Sequence, residues 1–86
     1  MEHILDVSDL EPPEPMERIL DALADMPEGD WLLVRHRRDP VPLYRILTDM
    51  GYQWRTERLA PGRFEILIWL AGTPEPGRHA DPGQTI

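Results

Sequence analysis

Two rhythms of apolar residues alternate along this chain, and the switches between them divide it into elements. His3-Ile4-Leu5-Asp6-Val7 is a short apolar run closed by Ser8-Asp9 and reads as a first strand. Met16, Ile19, Leu20, Leu23 and Met26 then recur at helical intervals, with Glu17, Arg18, Asp21 and Asp25 on the opposite side. Trp31-Leu32-Leu33-Val34-Arg35-His36 is almost continuously apolar, as suits an interior strand covered in part on both faces. Leu43, Ile46, Leu47 and Met50 mark a second helical stripe. Tyr52–Leu59 alternates and predicts a third strand. Phe64–Leu70 predicts a fourth, with Phe64, Ile66, Ile68 and Leu70 on one face.

The punctuation agrees with these elements. Pro12, Pro13 and Pro15 predict an extended loop and then a helix opened by proline, whose missing N–H is unpaired in the first turn anyway. Pro27-Glu28-Gly29-Asp30 is a turn cluster. Asp39 is expected as the N-cap of the second helix, with Pro40 at its first position and Gly51 as its left-handed terminator. Ala60-Pro61-Gly62-Arg63 predicts a type II turn joining strands three and four into a hairpin. Residues 72–86 are rich in Pro and Gly without an apolar period and read as a disordered tail, leaving a domain over 1–71.

The order is therefore β-α-β-α-β-β. A strand–helix–strand unit of this length is right-handed, so strands one and two should be parallel. Two helices with one stripe each cover one face of a four-stranded sheet, which gives a two-layer α/β sandwich of the α+β kind. The other face is left open. Glu65, Leu67 and Trp69 point toward it, joined by Trp31 or its neighbours; a patch of Trp and Leu there would mark an interface, and the other reading is scattered surface aromatics with the tail draped over them. A weak homodimer through that face is one expectation.

Composition narrows the function more than it defines it. Eighty-six residues make one small domain, and a hydrophobic content of 41% is enough for a core. The absence of cysteine excludes disulfides, thiolate metal sites and thiol catalysis. No apolar run approaches the ~18 residues of a membrane span, and Met1-Glu2-His3 does not resemble a signal peptide; the expectation is a soluble cytoplasmic protein. Residues 1–30 carry ten acids against Arg18, whereas residues 31–86 carry six acids and eight arginines. The formal net charge of −7 argues against nonspecific binding to nucleic acid or anionic membranes.

The stretch Leu5-Asp6-Val7-Ser8-Asp9-Leu10-Glu11-Pro12-Pro13-Glu14-Pro15, followed by an amphipathic helix, resembles the opening of TusA/SirA-like sulfur-carrier domains. Asp39-Pro40-Val41-Pro42-Leu43-Tyr44 and Leu59-Ala60-Pro61-Gly62-Arg63-Phe64 resemble features of their cysteine-less branch, domain of unknown function 2249. The resemblance covers roughly residues 3–71 and implies a mixed sheet of order 1-2-4-3 with both helices on one face. In the sulfur carriers a cysteine bears the persulfide at the position held here by Pro12, so that chemistry is lost.

The candidate site lies where the two proline-opened junctions meet the C-terminal ends of strands one and two, the edge at which open α/β sheets bind ligands. Asp6, Asp9, Glu11 and Pro12 come from the first junction; Arg35, His36, Arg37, Arg38, Asp39 and Tyr44 come from the second. The arginine run beside a helix N-terminus suggests an anion pocket or a docking surface for an acidic partner, and equally a set of internal ion pairs. Tyr44 reads as a half-buried packing residue with a wet hydroxyl. His3, His36 and His79 lack metal-ligand spacing, and no carboxylate pair, Ser-His arrangement or Gly-rich phosphate loop appears at a spacing usable for catalysis. The reading is a non-enzymatic domain for a protein partner or small ligand, without a cofactor. The alternative is an accessory to a redox or metalloenzyme system, with His36 contributing to a metal or cofactor site.

Overall fold

A computed structural model describes residues 1–76. The elements are β1 (Glu2–Asp6), α1 (Glu14–Asp25), β2 (Trp31–His36), α2 (Val41–Asp49), β3 (Tyr52–Ala60) and β4 (Arg63–Leu70). They form one four-stranded mixed sheet in the order β1-β2-β4-β3. β1 runs parallel to β2, and the β2–β4 and β3–β4 pairs are antiparallel. Among the described residues no helix is long and apolar enough to cross a membrane.

Period-2 alternation places Leu32 and Val34 of β2 on the same face as their partners Ile68 and Ile66 of β4. On that face Ile19 and Leu23 of α1 and Leu43 and Leu47 of α2 close the core, with Val7 just past β1. Ile19, Val34, Leu43, Leu47, Ile66 and Ile68 have no exposed surface. Burying each such side chain contributes roughly 1.5–3 kcal/mol. Gly51 follows α2 at φ 87°, and its N–H reaches the Thr48 carbonyl at 3.1 Å. That left-handed geometry stops the helix as expected.

The opposite face is not the exposed patch expected from the alternation. Leu67 and Trp69 do point away from the helices, yet they are only 6% and 7% exposed. After β4 the chain turns at Ala71-Gly72, and residues 73–76 line a hollow together with Trp31 and Trp69. Glu75 pairs with Arg55 of β3 at 2.8 Å, and Pro76 is buried. Thus, of the segment read as a disordered tail, residues 72–76 lie against the sheet; the remainder of that expectation falls outside the described residues. Ile4 on β1 and Leu59 on β3, 57% and 45% exposed, are apolar residues left open toward the rims of this face.

Candidate functional site

Parallel pairing of β1 with β2 brings both of their C-terminal ends to one edge of the sheet. The ladder continues past β1, where the Val7 N–H donates to the Arg35 carbonyl at 2.9 Å. The loop before α1 therefore lies beside the loop before α2. The two proline-rich junctions, 30 residues apart in the middle of the chain's charge asymmetry, become the walls of one cleft of about 360 Å³.

One wall comes from the start of α1: Pro12, Pro13, Pro15, Met16 and Ile19. The other comes from Pro40, Pro42 and Leu43, with His36, Arg38 and Asp39 supplying its polar groups. The prolines decide the character of this cleft. Pro15 and Pro42 sit in the first turns of α1 and α2 and carry no N–H. Several neighbouring donors are already used: Glu14 N–H bonds the Glu11 carbonyl, Glu17 N–H that of Pro13, and Leu43 N–H that of Pro40, whereas Met16 N–H on the cleft wall bonds no backbone carbonyl among the described residues. Helix starts built this way present hydrocarbon rings at several places where an anion site needs free N–H groups. The anion pocket expected from the helix N-terminus thus loses most of its backbone donors, and side chains must supply the rest.

The sequence candidates separate into distinct environments. Pro12, His36, Arg38 and Asp39 share the cleft. Glu11 and Arg37 are taken up by each other, at 3.2 Å, and tie the two loops together. Asp6 and Arg35 are register partners in the sheet, on the face away from the helices, and Arg35 reaches Glu65 of β4 at 3.4 Å. Asp6 accepts from the Ser8 hydroxyl at 2.5 Å and from its N–H at 2.9 Å. These hydrogen bonds, with Arg35 adding its charge, hold the Asp6 carboxyl below the usual carboxylate range. Asp9 is exposed and joins no ion pair among the described residues. The expected cluster of Asp6, Asp9 and Glu11 around Arg37 and Arg38 is therefore reduced to the Glu11–Arg37 pair.

His36 ends β2 on the helix side of the sheet. Its Nδ1 accepts the Arg38 N–H at 3.1 Å. Burial pushes its pKa down, and the charges of Arg37 and Arg38 push the same way. The neutral ring favoured by those effects, with Nδ1 as acceptor, carries its proton on Nε2.

Asp39 does not cap α2. Pro40 is the N-cap and no side chain bonds to it. Instead the Asp39 carboxylate accepts the Tyr44 hydroxyl proton at 2.5 Å. The Tyr44 oxygen is also 2.6 Å from Thr56 Oγ1 of β3, and its ring stacks on Trp54, with centroids 5.0 Å apart. Because tyrosine has one proton to give, Thr56 is the donor to Tyr44. The hydroxyl read as wet is bound on both sides, and burial together with Asp39 pushes its pKa up to about 12. Tyr44 thus stands on the β3 side of α2, where it fastens the Asp39 loop to the sheet rather than lining the cleft.

Sequence reading missed Met16, Ile19 and Leu43 as cleft walls because their helical spacing marks them as core. It missed Trp54 and Thr56 because only the placement of α2 over β3 brings them to Tyr44. The one available signal was the repeated strand–proline–helix junction. Residues 4–70 match a family of proteins described as uncharacterized and conserved, DUF2249. No curated protein matches the chain.

Proposed function

The chain belongs to the DUF2249 family, and within it we propose a non-catalytic binding domain whose cleft between the starts of α1 and α2 receives an apolar group of a small ligand or partner protein. The observation that carries this reading is the cleft itself: about 360 Å³, walled by proline rings, Met16, Ile19 and Leu43, at the strand-end edge of the sheet. The resemblance to TusA/SirA-like sulfur carriers supports it further. Pro12, standing where those domains carry the persulfide cysteine, is part of the wall. On this reading the chain keeps the carrier's docking edge and has lost the thiol chemistry.

A fragment set of small neutral apolar compounds, followed in amide NMR spectra, tests the proposal. Shifts should concentrate on Met16, Ile19, His36 and Leu43 and saturate together. Shifts scattered over the surface, or confined to the hollow beside Trp31, would remove the cleft as the site.

The rival role, an accessory to a redox or metalloenzyme system through His36, gains no comparable support. Nδ1 of that ring is engaged by the Arg38 N–H, and no group of three His, Cys, Asp or Glu side chains stands ready to share a metal among the described residues.

A further inference from the structure

Most of this cleft is hydrocarbon, so its few polar groups decide which ligand it prefers. Arg18, Arg35, Arg37 and Arg55 each have a carboxylate between 2.8 and 3.4 Å away. Arg38, Arg45, Arg58 and Arg63 have none among the described residues, and of these Arg38 is the one on the cleft wall. Beside it His36 spends Nδ1 on the Arg38 backbone and keeps Nε2–H as a donor. Asp39 is the acid that opposes an anion here, since it lines the cleft and its charge acts on His36, but its Oδ1 is taken up by the Tyr44 hydroxyl. An apolar body with one anionic end therefore complements the cleft in both shape and charge. A bare inorganic anion would meet mostly proline rings where an open helix start offers several backbone donors.

We propose that the cleft selects small organic monocarboxylates, with the apolar body between Met16 and Leu43 and the carboxylate received by the Arg38 guanidinium and His36 Nε2–H. This rests on the cleft being the binding site. Guanidinium and imidazole N–H groups favour a carboxylate over a neutral amide of the same shape because the hydrogen bonds become charge-assisted. Tyr44 acts as a positioning residue, engaging the Asp39 carboxylate through its hydroxyl.

The test uses the matched probes 4-phenylbutyrate and 4-phenylbutyramide, titrated into the protein with amide NMR detection at neutral pH. The acid should bind roughly three- to tenfold more tightly than the amide, with both shifting Met16 and Leu43. Arg38→Gln, a change at an exposed side chain, should bring the two affinities together while the spectrum stays folded. Tyr44→Phe should weaken the acid and leave the amide nearly unchanged. Equal affinities in the unaltered protein would overturn the carboxylate inference and leave the apolar cleft standing. A preference that survives Arg38→Gln would overturn the assignment to Arg38. Binding of neither probe at the cleft would overturn both readings.

Discussion

The two faces of the sheet are built from the same strands and are covered in different ways. On the helix side, Leu32, Val34, Ile66 and Ile68 are sealed by two amphipathic helices. On the other side, a short irregular segment lies beside Trp31 and Trp69, and its ties to the sheet include the Arg55–Glu75 pair; Pro76 is buried. One face is thus closed by a continuous interlocked layer, and beside Trp69 the other carries a single strap. The first cover is made of many mutually supporting contacts. The second has few, and one of its ties is a solvent-facing ion pair.

The sharpest way to break this comparison is a pair of truncations one residue apart. Ile66→Ala should cost about 2–5 kcal/mol, read from urea unfolding. Leu67→Ala should cost less, about 1–2 kcal/mol, because Leu67 lies on the face away from both helices and keeps some exposed surface. Equal losses would mean that both faces are packed alike.

The next effect lies on the helix side. Tyr44→Phe removes the hydroxyl shared by Asp39 and Thr56 and should cost about 1 kcal/mol. It carries a pH signature. The Tyr44 pKa is raised from 10.0 to about 12, so the folded protein keeps a proton that the unfolded chain releases first. That contribution is complete below pH 10 and is lost as pH rises toward 12. A urea midpoint that falls over this window in the unaltered protein and less so in Tyr44→Phe would confirm it.

On the strap side, Glu75→Ala should lower stability by about 0–1 kcal/mol, with the difference shrinking in added salt. The mildest effect concerns His36. Its pKa is lowered from 6.5 mainly by burial, so the unfolded chain takes up the proton first. Stability from this group is complete above pH 6.5 and declines as pH falls below it. Following the His36 ring by NMR through that range should show a midpoint below 6.5; one above it would contradict the burial.

The apolar periods of this sequence determined the elements, their order and the two helical stripes. These are local patterns, and 3.6- and 2-residue spacing translates directly into one buried face. The proline-opened junctions and Gly51 were legible for the same reason, since each acts on its own backbone angles. The remaining features depend on residues distant in the chain. Parallel pairing of β1 and β2 set Pro12 opposite Pro42 and turned two loops into one cleft. The packing of α2 on β3 took Tyr44 away from that cleft and gave Asp39 to its hydroxyl instead of to a helix cap. Residues 73–76 came to lie beside Trp31 and Trp69, although no period in them announces it. Cover of that kind comes from shape and a single ion pair, and neither leaves a repeating trace in a sequence.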